Sequence, residues 1–201
     1  MHNTTLRAYN KNMSNRVFII HGYGGRPEDA WRPWLQDELQ KQGWETTLPA
    51  MPNPDHPKMT EWVAKLQQEI GEPARNTFLV GHSLGCIAIL RYLEILEKGQ
   101  EIGGAVLVAG FTDSLNTKEL GSFFEKPIRW YDIKSHCRQF TAIHSDNDPW
   151  VPLSHADTFK EKLNAEVIVR SGMKHFSEDD NVEESFKLPA ALDALKKMES
   201  S

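Results

Sequence analysis

Cysteine is scarce: the 201 residues hold two, Cys86 and Cys137. Two thiols cannot build a disulfide framework, and Cys86 reads as a core residue. The reducing cytoplasm is the expected compartment. Long apolar runs are also missing. None approaches the roughly 18 residues of a membrane-spanning helix, so no membrane partner is expected. No run of lysine and arginine occurs and the net charge is −5, which argues against nucleic acid as a partner. Residues Met1 to Asn15 are polar, without the hydrophobic segment of a signal peptide. They read as a flexible extension. Repeats, low-complexity tracts and internal linkers are absent, so residues 16–199 read as one domain. Metal-binding spacing is missing too: His144-Ser-Asp-Asn-Asp148 fits neither a calcium loop nor a zinc site. No metal and no cofactor are expected.

What is present is ordinary for a globular chain, with 25% charged and 39% hydrophobic residues. Short apolar strands alternate with amphipathic helices. Strands are predicted at 16–20, 44–48, 77–80, 103–108, 139–143 and 166–169. Helices are predicted at 28–42, 60–70, 84–93, 153–163 and 188–198, with Gly43 ending the first. Trp31, Trp34 and Trp62 read as core on these helix faces. Residues 49–57 carry four prolines in nine, a rigid irregular loop. Residues 110–138 are the hardest to read; a short helix over 128–136 is the expectation. Short apolar strands joined by helical crossovers predict an α/β fold. It is a parallel sheet of about six strands, with helices on both faces in three layers.

The centre of the chain is Gly81-His82-Ser83-Leu84-Gly85, between a predicted strand and a predicted helix. Gly-x-Ser-x-Gly in that context is a nucleophile elbow. The turn forces the serine into strained backbone angles, and the flanking glycines leave room where side chains would clash. The alternative is a plain Gly-rich turn whose serine caps the helix.

Reactive groups in such a sheet belong outside the carboxyl ends of the strands. The loop after the fifth strand carries Asp146 and Asp148, and the loop after the sixth carries His175. Serine, acid, histidine is the chain order of α/β-hydrolases. A serine hydroxyl needs a base to take its proton, and a histidine does this near neutral pH. A carboxylate then holds the imidazole tautomer. The acid is Asp148 or Asp146. Asp148 precedes Pro149 and stands four residues before Pro152, which favours it; Asp146 then shapes or caps the loop. The backbone N–H groups of Tyr23 and Leu84 are the expected oxyanion donors. His82 reads as a packed histidine rather than a second base.

These residues, with Arg16–Gly24, Trp31-x-x-Trp34, Met51-Pro-Asn-Pro54, Asp148-Pro-Trp-Val-Pro152 and Gly172-Met-Lys-His-Phe176, carry a resemblance. The chain resembles, over residues 16–199, the small serine hydrolases typified by retinoblastoma-binding protein 9 and its YdeN-like bacterial relatives. The resemblance implies a compact α/β-hydrolase fold without a large lid and the triad Ser83, Asp148 and His175. It also implies esterase or aminopeptidase-like activity. The human member carries a Leu-x-Cys-x-Glu motif for its namesake partner. Neither cysteine here stands in such a pattern, so that role is not carried over.

The expected substrate is a small ester or amide, cleaved through an acyl-enzyme on Ser83. His21, Gly22, Trp150 and Phe176 are the expected pocket residues, together with Tyr23. The other readings are a hydrolase of small aminoacyl amides or esters and a non-catalytic binding module on a hydrolase scaffold. A monomer or weak homodimer is expected.

Overall fold

The computed structural model describes residues 14–200. Six strands form one parallel sheet: β1 (Arg16–Ile20), β2 (Glu45–Thr47), β3 (Thr77–His82), β4 (Gly104–Val108), β5 (Phe140–Ser145) and β6 (Glu166–Arg170). Their spatial order is β2-β1-β3-β4-β5-β6. The chain steps outward from β1 to β2, then returns to the other side of β1 with β3. The order therefore reverses between β1 and β3, and a crevice opens there beyond the strand ends. Ile20 pairs with Gly81 and His82 with Val108, so the loops after β1 and β3 leave the sheet side by side.

Among the described residues the six α-helices are α1 (Arg32–Gln40), α2 (Met59–Ile70), α3 (Leu84–Leu93), α4 (Trp130–Ser135), α5 (Ser154–Leu163) and α6 (Pro189–Glu199). Strand side chains alternate between the two faces, which divides them into two cores. Phe18, Ile20, Leu79, Ala105, Leu107 and Ala142 face a core shared with α2, α3 and α5. Val17, Ile19, Phe78, Val80, Val106, Val108 and Ile143 face a core shared with α1 and α6. Every residue of β3 and β4 is buried, as a strand covered on both faces requires. Trp31 and Trp62 are wholly buried, one in each core.

Three expectations are corrected. First, α1 begins at Arg32 rather than residue 28. Ala30 is left-handed (φ 58°), and Pro33 suits only a first turn, so residues 28–31 form a turn instead. Second, residues 14 and 15 belong to the fold. The Asn76 side chain donates to the Ser14 carbonyl at 2.8 Å, and Glu45 N–H donates to the Asn15 carbonyl at 2.8 Å. Residues 1–13 of the expected extension lie outside the described residues. Third, α4 is shorter than expected and is preceded by a 3₁₀ turn at Lys118–Phe123. Buried Arg91 of α3 organises this segment. It donates to the carbonyls of Phe123 (2.9 Å), Lys126 (2.5 Å) and Pro127 (3.2 Å), and pairs with Glu94. Its charge is tolerated in the core because each donor nitrogen is taken up.

Candidate active site

The serine side is built backbone against backbone. Ser83 follows β3 with φ 54° and ψ −118°, a conformation costly for a residue with a side chain. Its hydroxyl makes no capping bond to α3, which removes the helix-cap alternative. The glycines explain how the turn is tolerated. A Cβ on Gly81 would lie 2.7 Å from the Cys86 nitrogen, and one on Gly85 would lie 2.5 Å from the Ile20 carbonyl oxygen. No side chain fits either place. Gly22 brings the loop after β1 close as well, because a Cβ there would lie 3.0 Å from Cβ of Ser83. Leu84 is the first residue of α3, where an N–H has no intrahelical acceptor. Among the described residues, neither the Leu84 nor the Tyr23 N–H donates to a protein acceptor.

The histidine side is built from side chains gripping backbone. Four consecutive residues, the last of β5 and the three after it, hold the 171–175 loop. Asp146 Oδ1 accepts from Gly172 N–H (2.8 Å), Ser145 Oγ from Met173 N–H (2.9 Å) and Asn147 Oδ1 from Lys174 N–H (2.8 Å). Asp148 Oδ2 accepts from His175 Nδ1 at 2.8 Å. The Asp148 side chain is 1% exposed, and its Oδ1 accepts from the N–H groups of Trp150 (2.9 Å) and Val151 (3.0 Å). A carboxylate only accepts, so Nδ1 of His175 bears the hydrogen and Nε2 keeps its lone pair. Asp146 instead is exposed, and its bond from Gly172, then one with the Ser171 side chain, lowers its carboxyl below the ordinary range.

Ser83 and His175 open into one cleft of about 480 Å³, also lined by Gly22, Tyr23 and His82. The other expected pocket residues lie elsewhere. His21 is buried, its Nδ1 donating to the Gly22 carbonyl at 2.8 Å and its Nε2 accepting from Met51 N–H at 3.0 Å. It ties the loops after β1 and β2, and burial lowers its proton affinity. Phe176 is wholly buried in the core under α1 and α6, because φ 56° turns its ring inward while His175 faces the cleft. Trp150 is 69% exposed, its backbone N–H bound to Asp148 and its ring outside the cleft lining. In their place the cleft is lined by Asp29, Arg32, Ser177, Glu178 and Asp179, a more polar wall than expected.

Two supports escaped sequence reasoning. Asp180 Oδ2 accepts from the N–H groups of His175 and Ser177, each at 2.9 Å. The Ser177-x-x-Asp180 capping pattern was available as a signal. His82 meets the His175 carbonyl at 2.8 Å, and no sequence signal foretold that pairing.

A parallel sheet whose order reverses beside a strained serine, with a histidine–aspartate pair facing the same cleft, defines an α/β-hydrolase. Comparison with known proteins gives the family. A family model described as serine hydrolase matches residues 17–196, and the chain belongs to that family. It is 34% identical over 184 residues to YdeN of Bacillus subtilis, covering 91% of this chain and 95% of that protein. It is 25% identical over 166 residues to the serine hydrolase RBBP9 of Rattus norvegicus, covering 80% of this chain and 87% of that one. The crystal structure of the YdeN protein superposes with a TM-score of 0.88 over 94% of this chain and 100% of that one. Est1E of Butyrivibrio proteoclasticus, 13% identical, shares the fold at a TM-score of 0.74, covering 96% of this chain and 91% of that one. The protein is therefore a hydrolase acting on a small molecule. No helix among the described residues is long and apolar enough to cross a membrane.

Proposed function

We propose that the chain hydrolyses small esters through an acyl-enzyme on Ser83, with His175 as base and acid and Asp148 orienting it. The observation that carries this reading is the part-buried 2.8 Å bond from His175 Nδ1 to Asp148, made at the cleft that Ser83 enters. In the first step the Ser83 oxygen bonds to the substrate acyl carbon as Nε2 of His175 takes its proton. The carbonyl oxygen becomes an oxyanion, received by the N–H groups of Tyr23 and Leu84. The intermediate collapses, and the departing alcohol takes the proton from His175. Water then repeats the sequence on the acyl-enzyme and releases the acid. Asp148 accepts from the imidazolium throughout and takes no proton.

The lining favours a short, polar substrate. Tyr23 is the only aromatic ring among the cleft residues besides the two histidines, and the wall beyond them is charged. Two buried, free cysteines accord with the cytoplasm as the place of action.

The test is labelling with a fluorophosphonate probe beside a series of p-nitrophenyl esters. Wild type is expected to label and to turn over acetyl and butyryl esters faster than dodecanoyl. Ser83→Ala is expected to lose both labelling and turnover while keeping its fold. Labelling that persists in folded Ser83→Ala contradicts the assignment.

A further inference from the structure

His82 lines the cleft beside Ser83, yet the mechanism above gives it no proton to move. Its surroundings assign its hydrogen. Nε2 lies 2.8 Å from the carbonyl oxygen of His175, which only accepts, so Nε2 donates. Nδ1 then holds the lone pair, and it faces Nη1 of Arg32, a donor, at 3.5 Å. Arg32 is 2% exposed and is itself held. Its Nη2 donates to the Arg26 carbonyl at 2.8 Å and lies 3.6 Å from the Asp29 carboxylate. The His82 ring sits between Trp31, edge-on at 6.0 Å, and the His175 ring at 5.0 Å. Its one accepting nitrogen is thus occupied by Arg32, and His82 is not a base.

The other end of this chain of bonds is a strained loop. Lys174 (φ 47°) and Phe176 (φ 56°), on either side of His175, are both left-handed. Such backbone persists only where its surroundings over-determine it. Asp180 holds the His175 N–H, Asp148 holds its ring, and His82 holds its carbonyl. Of the three, only His82 comes from the strand that carries the serine.

We propose that Arg32 and His82 form a buried positioning pair that sets the base relative to the nucleophile. Arg32 fixes the tautomer of His82. His82, one residue before Ser83, ties the His175 backbone to the elbow. The proposal rests on the hydrolase reading above.

The test compares kcat, KM and thermal melting of His82→Gln, His82→Asn, His82→Leu and Arg32→Met on p-nitrophenyl acetate. A glutamine amide reaches about as far as Nε2; asparagine stops short, and leucine has no donor. A displaced base should lower kcat about 10–100-fold in the Asn and Leu variants, with KM within about twofold. Gln is expected to recover to within about fivefold of wild type, and Arg32→Met to lose about 3–10-fold in kcat. A purely structural role would make kcat follow the melting temperature instead of the donor. His82→Leu turning over within about twofold of wild type, or folded Gln no better than folded Asn, overturns the proposal. If the Leu variant does not fold, the Gln and Asn pair still decides. A wild type that neither labels at Ser83 nor hydrolyses esters overturns the hydrolase reading and this pair with it. An active wild type with an indifferent His82 overturns this inference alone.

Discussion

The two walls of the cleft are held by different physics. On the serine wall, backbone packs on backbone. Gly81, Gly85 and Gly22 stand where any Cβ would meet Cys86, Ile20 or Ser83 at 3.0 Å or less. On the histidine wall, polar side chains grip amides: Ser145, Asp146 and Asn147 hold the loop, and Asp148 holds the ring. Close packing admits one residue type and fails abruptly when that type changes. A ladder of hydrogen bonds shares its load, and each rung contributes about 0.5–1.5 kcal/mol. The serine wall should therefore be brittle to small changes. The histidine wall should tolerate all but the one carboxylate that reaches the imidazole.

The largest expected effect tests that exception. Asp148→Asn leaves the nucleophile and base in place but offers Nδ1 the wrong partner. Turnover at pH 7 should fall roughly 10⁴-fold with a near-normal melting temperature. Asp146→Asn should keep much of the activity, because Asp146 holds only the Gly172 end of the loop. Rates and melting curves of both variants decide it. A dead Asp146→Asn beside a working Asp148→Asn would reverse the assignment.

Next comes the brittleness itself. Gly85→Ala places a methyl 2.5 Å from the Ile20 carbonyl, against backbone that cannot step aside. It should cost about 2–3 kcal/mol or more and remove most activity. Asn147→Ala, which removes one acceptor from the Lys174 N–H, should cost about 1 kcal/mol. Denaturant melts of the two measure the contrast directly. Equal losses would erase the distinction between the walls.

The smallest effect concerns pH. His82 is buried against His175 and Arg32, and burial first, then both neighbours, hold its proton affinity well below the ordinary range. Burial likewise pushes His144, at the end of β5, down to about 4. Both groups bind protons more readily once unfolded. Their contribution to stability is complete above the unfolded value of about 6.5 and is lost as pH falls from there toward the folded values. Melting temperature should therefore fall between pH 7 and pH 4. His144→Leu should flatten part of that fall, since it removes one of the two titrating groups; it also removes a buried Nε2 with no partner among the described residues. An unchanged slope in the variant would remove His144 from the explanation.

The contrast also accounts for what the sequence disclosed. Close backbone approach demands glycine, so the serine wall is written as a motif with fixed spacing. The four central strands, β1, β3, β4 and β5, were legible for a related reason: burial on both faces leaves short apolar runs. The histidine wall was legible through chain order, with the spacing to Pro149 and Pro152 favouring Asp148; the grip of Ser145, Asp146 and Asn147 on the facing loop needed its three dimensions. The wall beyond the triad was not legible. Phe176 and Trp150 look alike as loop aromatics, yet one is wholly buried and the other 69% exposed. A left-handed turn at Phe176 separates them, and no residue type announces it. Arg32 falls within the predicted 28–42 helix with no sign of its role, because nothing in its neighbours reports the contact with His82. The start of α1 was missed for a similar reason, since Ala30 carries no sign of its left-handed backbone.

The central claim is that Ser83 carries the acyl group. Rapid mixing with p-nitrophenyl acetate, an acid quench and tryptic mass spectrometry test it directly. Trypsin releases residues 76–91 as one peptide that contains Ser83, Thr77, His82 and Cys86. The account predicts a single acetyl group on Ser83 of that peptide, formed at the rate of the p-nitrophenol burst and absent from Ser83→Ala. Acetyl on Cys86 or on another peptide, or steady turnover with no covalent acetyl at any quench time, contradicts it.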